Sequence, residues 1–300
     1  MTFINRPLCR VRAIVALSTV LLSKDVLAQA QARKETAKRS SSDSVVVVVA
    51  SKHYEAGSFH RWLLGDNWRD IWATPIKVPV LNLSTFAGGL KPVDTGGSAQ
   101  TTSLRFIGAD GNKYAFRPVY KDRLVHIEPY ENTIISDIFR DGLSSLHPTA
   151  PIAAPPFLQA AGIIHPEPQL FVMPDDPALG EFRKEFAGKL GAIEDRALMP
   201  EEGPGLGGAV ELIDSDDLLK RLNKSPKERI DARTYLTARL IDILLNDYDR
   251  HLNQWRWARV QPRFAGSTTG DDIVWVPIPR DRDAAFINHE GVLMAVARLV

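Results

Sequence analysis

Residues 231–286 decide the reading of this chain. They run as DARTYLTARLIDILLN (231–246), the polar loop NDYDRHLNQW (246–255), a gap containing glycine, the apolar run IVWVPI (273–278) and PRDRDAAF (279–286). Leu236, Leu240, Ile243 and Leu244 stand at i, i+4, i+7 and i+8, the spacing of one helix face, which predicts a buried helix. IVWVPI reads as a strand. A helix feeds a loop rich in Asp, Arg, His and Gln, and a strand then delivers Asp281 and Asp283. Two carboxylates and an amide from separate segments hold a hard divalent cation and orient a nucleophile. Asp249 and Arg250 also fit a helix-end ion pair, and His251 fits a packed histidine. The second Asp/Arg turn, placed after an apolar run, favours a site.

The whole chain bounds what that site can serve. Its 300 residues are 44% hydrophobic and 24% charged, an ordinary globular composition with enough chain for a sizeable core. Formal net charge is +1, and without the first thirty residues the balance is 33 basic against 35 acidic. A general nucleic-acid binder would be far more basic, so that class is set aside. No HExxH or His-x-His spacing points to zinc, and no G-x-S-x-G elbow points to a serine hydrolase.

The first thirty residues read as an export signal. Arg6, Arg10 and Arg12 form a basic start, AIVALSTVLL an apolar core too short to span a bilayer, and Ala28-Gln29-Ala30 a cleavage site. The single cysteine, Cys9, lies before the apolar core, so the mature chain carries neither a disulfide nor a thiolate ligand. A bacterial periplasm or cell envelope is the expected location, with no membrane-spanning helix in the mature chain. Residues 31–45 are Ser- and Lys-rich and read as a flexible linker.

Upstream of the deciding stretch, the five valines from Val45 to Val49 predict a buried strand. The segment around Trp62, Trp68 and Trp72 predicts an aromatic-anchored helix pair. From Lys77 the pattern is β, with a turn at Asp110-Gly111 between TSLRFIG and KYAFRPVYKD. Gly96 and Gly97 form a glycine-rich turn able to bring backbone N–H groups against phosphates. Arg117, Val119 and Lys121 share one strand face, so either cation can reach the same oxyanion. TIISDIFRDGLSSL reads as a helix whose Asp137 or Asp141 is placed to pair with that cation, and KLGAIEDR as a strand ending at Glu194. Asp214 or Ser215 is expected to cap one later helix. Ser225 to Glu228 has the spacing of a capping box for the next. Helical spacing continues to residue 300 with no cap or polar tail, which fits a truncated product or the front part of a longer protein.

DRHLNQW (249–255) followed by DRDAAF (281–286) resembles the catalytic loop and metal-binding turn of atypical kinase-like folds: type II phosphatidylinositol kinases, HipA-type kinases and secretory-pathway kinases. The chain after residue 46 is also similar to the periplasmic kinase-like region ahead of the barrel in some bacterial surface-antigen (BamA/TamA-type) proteins. The resemblance implies an α+β, two-lobed protein-kinase-like fold, with a β-rich N-lobe over 46–196 and a helical, incomplete C-lobe over 197–300. It implies ATP with Mg²⁺ or Mn²⁺, Asp249 as catalytic base, and Asp281 with Gln254 and Asp283 on the metal. Arg117 or Lys121 would lie on the nucleotide phosphates, beside Gly96 and Gly97, and Glu194 in the hinge. The related lipid kinases carry Phe-Lys-Pro where this chain has Phe116-Arg117-Pro118, which makes a non-catalytic binding or scaffold module the alternative. The partner is then a hydroxyl-bearing acceptor or an envelope protein beside an outer-membrane barrel.

Overall fold

The computed structural model describes residues 44–96, 102–120, 133–195, 208–260 and 273–298, with the side chains of residues 134 and 135 left out. The export signal, nearly all of the linker, Gly97, Lys121 and the expected boundary just after residue 196 lie outside the described residues.

A five-stranded antiparallel sheet forms from β3 (Leu90–Gly96), β4 (Ser103–Gly108), β5 (Lys113–Pro118), β6 (Gln169–Val172) and β7 (Leu190–Asp195), in the order β3-β4-β5-β7-β6. The β4–β5 turn falls where the sequence places it. Asp110 accepts from the backbone N–H of Asn112 at 2.9 Å, and Gly111 takes the left-handed conformation. Strand alternation then sorts the residues. Phe116 and its cross-strand partner Ile193 enter a core with Leu104, Phe106, Phe171 and Met173, all nearly inaccessible. Arg117 and its partner Ala192 face the other way, as do Ala115 and Glu194. Gly191 is required here, because a Cβ would collide with the Phe116 ring.

The five valines are a correction. β1 (Val45–Val48) pairs with β2 (Ile76–Pro79) in a separate two-stranded sheet, leaving Val45 59% and Val47 64% exposed. The run alternates between faces because only one side of this small sheet meets the core.

The second half was expected to be helical, and it carries a four-stranded sheet as well. β8 (Ala209–Ile213), β9 (Glu228–Ile230), β10 (Trp255–Val260) and β11 (Ile273–Pro279) lie in the order β8-β10-β11-β9. Only the β9–β11 pair is parallel. Trp255, Trp257 and Trp275 are buried from this sheet against helices. The architecture is thus α+β, with two larger sheets and helices beside them.

Numbered in chain order, the helices are α1 (Ser58–Leu64), α2 (Arg69–Ala73), α3 (Ile134–Gly142), α4 (Ala150–Ala153), α5 (Pro155–Ala160), α6 (Arg183–Phe186), α7 (Ser215–Lys224), α8 (Ala232–Leu244) and α9 (Val292–Ala297). Trp68 and Trp72 anchor the α1–α2 region, their indole N–H groups donating to the carbonyls of Phe286 and Leu146. Asp214 caps α7, accepting from Asp217 N–H at 2.9 Å. Ser225 to Glu228 does not open a helix. Glu228 begins β9 and accepts from the Trp275 indole at 2.6 Å, and Asp231 caps α8 instead, accepting from Thr234 N–H.

The stripe on α8 turns outward. Leu236, Leu240, Ile243 and Leu244 are 56–73% exposed, while Ala238, Ile241, Asp242 and Leu245 are buried. This helix is apolar on more than one side, so spacing alone does not choose its inner face. The choice falls to Ala238, small enough for close packing, and to Asp242, whose carboxylate has arginine partners inside. Among the described residues no helix is long and apolar enough to cross a membrane.

Candidate functional site

A cleft lies against the outward face of β5 and β7. One wall is apolar and stiff, built from prolines and aliphatics including Pro148, Pro151, Ile152, Pro155 and Leu158. The other end is charged, with Arg117, Glu194, Arg280, Asp281 and Asp283. Its atom-free space is about 930 Å³ including the open mouth, of which about 70 Å³ is open to the centre of a water-sized sphere. A cavity above ~10–15 Å³ has room for water, so this one admits solvent.

Arg117 bridges the cleft's charged residues. Its Nη1 donates to Asp281 Oδ1 at 2.8 Å, and its Nη2 lies 3.1 Å from Glu194 Oε1. The sheet of the first half is thereby joined to the turn after β11 in the second. Burial acts to lower the Arg117 pKa, but the charges of Glu194, Asp281 and Asp283 outweigh it and raise the pKa above its ordinary value. Helix α3 does not supply the partner that the sequence suggested. Asp141 instead takes a two-point hydrogen bond from the buried Arg69, at 2.8 and 2.6 Å, and has His60 Nε2 2.8 Å away. Asp137 pairs with Arg140.

All four residues of the RDRD turn border the cleft, and Arg282 also reaches a buried cluster with Asp242 and Asp247. Arg282 donates to Asp242 and, at 2.8 Å, to Asp247. Arg239 also donates to Asp242 at 2.8 Å. Arg250, with its side chain 1% exposed, places Nε 3.5 Å from Asp242. Burial pulls the Arg250 pKa down to about 10, helped by the neighbouring charge of Arg282 and opposed by Asp247 and Asp242. Burial likewise pushes the Asp247 carboxyl up, against the hydrogen bond from Arg282.

Arg250 also fastens the polar loop to the turn. Its Nη1 donates to the Arg280 carbonyl at 2.6 Å and to that of Asp281 at 3.4 Å, and its Nη2 to the Gln254 carbonyl at 3.2 Å. The guanidinium lies over the Trp255 ring, 4.9 Å from its centroid. Arg280 N–H donates to the same Gln254 carbonyl at 2.9 Å. The loop begins where Asn246, left-handed at φ 50°, ends α8. Asp281 is itself left-handed at φ 55°. For a residue other than glycine that conformation costs on the order of 1–3 kcal/mol. Hydrogen bonds from a charged donor, each contributing about 1.5–3 kcal/mol, are of the size needed to hold it.

The sequence candidates therefore separate. Arg117, Glu194, Asp281 and Asp283 share the cleft. Asp249 is not among the cleft-lining residues; its side chain is 53% exposed, and His251 Nε2 is 3.8 Å away. Gln254 is buried, with its amide Nε2 3.3 Å from His251 Nε2, and it meets the turn through its backbone carbonyl. Gly96 is also away from the cleft, on the edge strand, where the Arg105 guanidinium crosses it. Sequence reasoning missed Asp242, Asp247 and Arg282. The available signal was an aspartate set between Ile241 and Ile243 in an otherwise apolar helix.

Among the described residues no three acidic, histidine or cysteine side chains converge as a metal cage. Asp281 and Asp283 are two hard-oxygen carboxylates among the cleft-lining residues. Mg²⁺ is commonly held in that way, by one or two carboxylates, with waters and substrate phosphates completing its shell. The donor chemistry fits such an ion. The phosphate-facing cation would be Arg117, released from Asp281. No family model, curated protein or solved structure matches the chain.

Proposed function

We propose that this is a kinase-like phosphotransferase of the cell envelope, using the cleft for ATP with Mg²⁺ or Mn²⁺ and transferring phosphate to a hydroxyl-bearing acceptor. The observation that carries the reading is the Arg117–Asp281 bridge. It sets a cation from the five-stranded sheet against a carboxylate from the turn after β11, with Asp283 alongside. Those are the charges that phosphoryl transfer uses, one for the phosphate oxygens and the others for the metal. Asp249 stands on the loop tied to the turn by Arg250, and its exposure leaves it open to an acceptor hydroxyl. Asp249 is the group we assign as base.

A second reading, a non-catalytic binding module beside an outer-membrane barrel, is favoured by one specific observation. The strand cation is an arginine held by two carboxylates of the cleft. Metal-dependent loss of the ATP γ-phosphate, measured for the parent and for Asp249→Asn, separates the two. The phosphotransferase reading predicts turnover that falls at least a hundredfold in Asp249→Asn while nucleotide binding persists. Binding without turnover in the parent would establish the module.

A further inference from the structure

We propose that Arg250 is a positioning residue, the group that fixes the left-handed Asp281 so that its carboxylate faces Arg117 across the cleft. The ligand side of this proposal rests on the cleft reading above, whereas the geometry stands on the hydrogen bonds. Nothing in the alternation of β11 itself requires a positive φ at Asp281. That conformation is imposed after the strand ends, and the carbonyls on both sides of the bend, those of Arg280 and Asp281, point at one guanidinium. The same guanidinium holds the Gln254 carbonyl, which in turn receives Arg280 N–H, so the loop and the bend close around it. Three carbonyls shared between two guanidinium nitrogens call for a planar fork with several fixed donors, and the fork lies over the ring of Trp255. A lysine keeps the charge near Asp242 and Asp247 but places a single donor point there. Arg282 has a different role, since its hydrogen bonds go to Asp242 and Asp247 and anchor the turn to that buried pair.

The test asks whether Arg250 controls how Asp281 meets Arg117. Thermal midpoints of the full chain are measured for Arg117→Met, Asp281→Asn and the pair, first with Arg250 present and again with Arg250→Lys. Where Arg250 is present, the two substitutions should be non-additive, since they remove the same bridge. With Arg250→Lys, that non-additivity should fall by at least half. A purely structural Arg250 would lower every midpoint together and leave the coupling unchanged. Arg250→Gln serves as the second background if Arg250→Lys does not fold. In parallel, Mn²⁺ binding in the presence of ATP is followed by the electron spin resonance of free Mn²⁺, with the dissociation constant expected to rise at least tenfold in Arg250→Lys. If the parent binds no Mn²⁺ with ATP, the cleft reading fails, and the coupling still decides the role of Arg250. An Arg250→Lys protein with the parent's coupling overturns the proposal. So does one with the parent's Mn²⁺ affinity where Asp281→Asn has lost it.

Discussion

Replacing Arg282 with methionine probes the buried ion cluster beside the cleft while leaving the cleft's carboxylates in place. Arg282 is 5% exposed and donates to Asp242 and Asp247, which are 1% and 4% exposed. Removing one partner of a buried ion pair costs about 3–5 kcal/mol, because the remaining charge stays buried and uncompensated. Here the remainder is not fully abandoned. Arg239 still holds Asp242 at 2.8 Å, and Arg250 stands 3.5 Å from Asp242 and 3.9 Å from Asp247. The expected loss is therefore at the lower end, about 3 kcal/mol. For a chain of this size, that lowers the thermal midpoint by about 6–12 °C. Asp247 loses its nearest cation, so Asp247→Asn in the same chain should recover part of the loss, with a coupling of at least ~1 kcal/mol in a double-mutant cycle. Urea unfolding followed by tryptophan fluorescence reads both quantities. A loss under about 1 kcal/mol, or strict additivity of the two substitutions, would refute the idea that this cluster is held as buried charge.

Three further outcomes are expected. Asp231→Ala removes the cap of α8 and should cost about 1 kcal/mol in urea unfolding. Leu240→Ser should change stability by less than about 0.5 kcal/mol, whereas Ile241→Ala should cost about 2–5 kcal/mol, and the reverse ranking would mean that the α8 stripe faces inward. Burial lowers the pKa of His147, so the folded protein binds fewer protons than the unfolded chain below the ordinary histidine value of about 6.5. Its contribution is present above that pH and is lost as pH falls through the window down to the folded pKa. The thermal midpoint should drop on going from pH 7.5 to 5.5, and His147→Gln should shrink the drop. An unchanged slope in the variant would remove His147 from the explanation.

Local signals in the sequence were legible where backbone chemistry decides. The Asp110-Gly111 turn, the strands around Phe116 and Ile193, and the cap at Asp214 follow from residue type and alternation. So does the placement of Arg117 on the face opposite to Phe116. Signals failed where tertiary partners decide. The valine run and the α8 leucines are apolar residues whose exposure depends on what lies beside them, and the sequence does not state that. Glu228 looked like a helix cap because the spacing fits, yet the Trp275 indole, distant in sequence, claims its carboxylate. The site divides in the same way. Asp281, Asp283, Arg117 and Glu194 meet because two strands and one turn aim them. The loop of Asp249 and Gln254 is joined to them through backbone groups, by the Arg250 guanidinium and by Arg280 N–H to the Gln254 carbonyl, links that no motif spacing encodes.

The measurement that bears most directly on the cleft is the thermal midpoint with and without ATP and Mg²⁺, for the parent and for Asp281→Ala. Ligand at about 100 times its dissociation constant stabilises a folded protein by roughly 2.7 kcal/mol, or about 5–10 °C for a chain of this length. A nucleotide-binding cleft predicts such a shift in the parent only when metal is present, and its loss in Asp281→Ala, each shift being measured against that protein's own ligand-free midpoint. No shift in the parent, or an equal shift in the variant, would contradict the assignment of Asp281 and Arg117 to such a cleft.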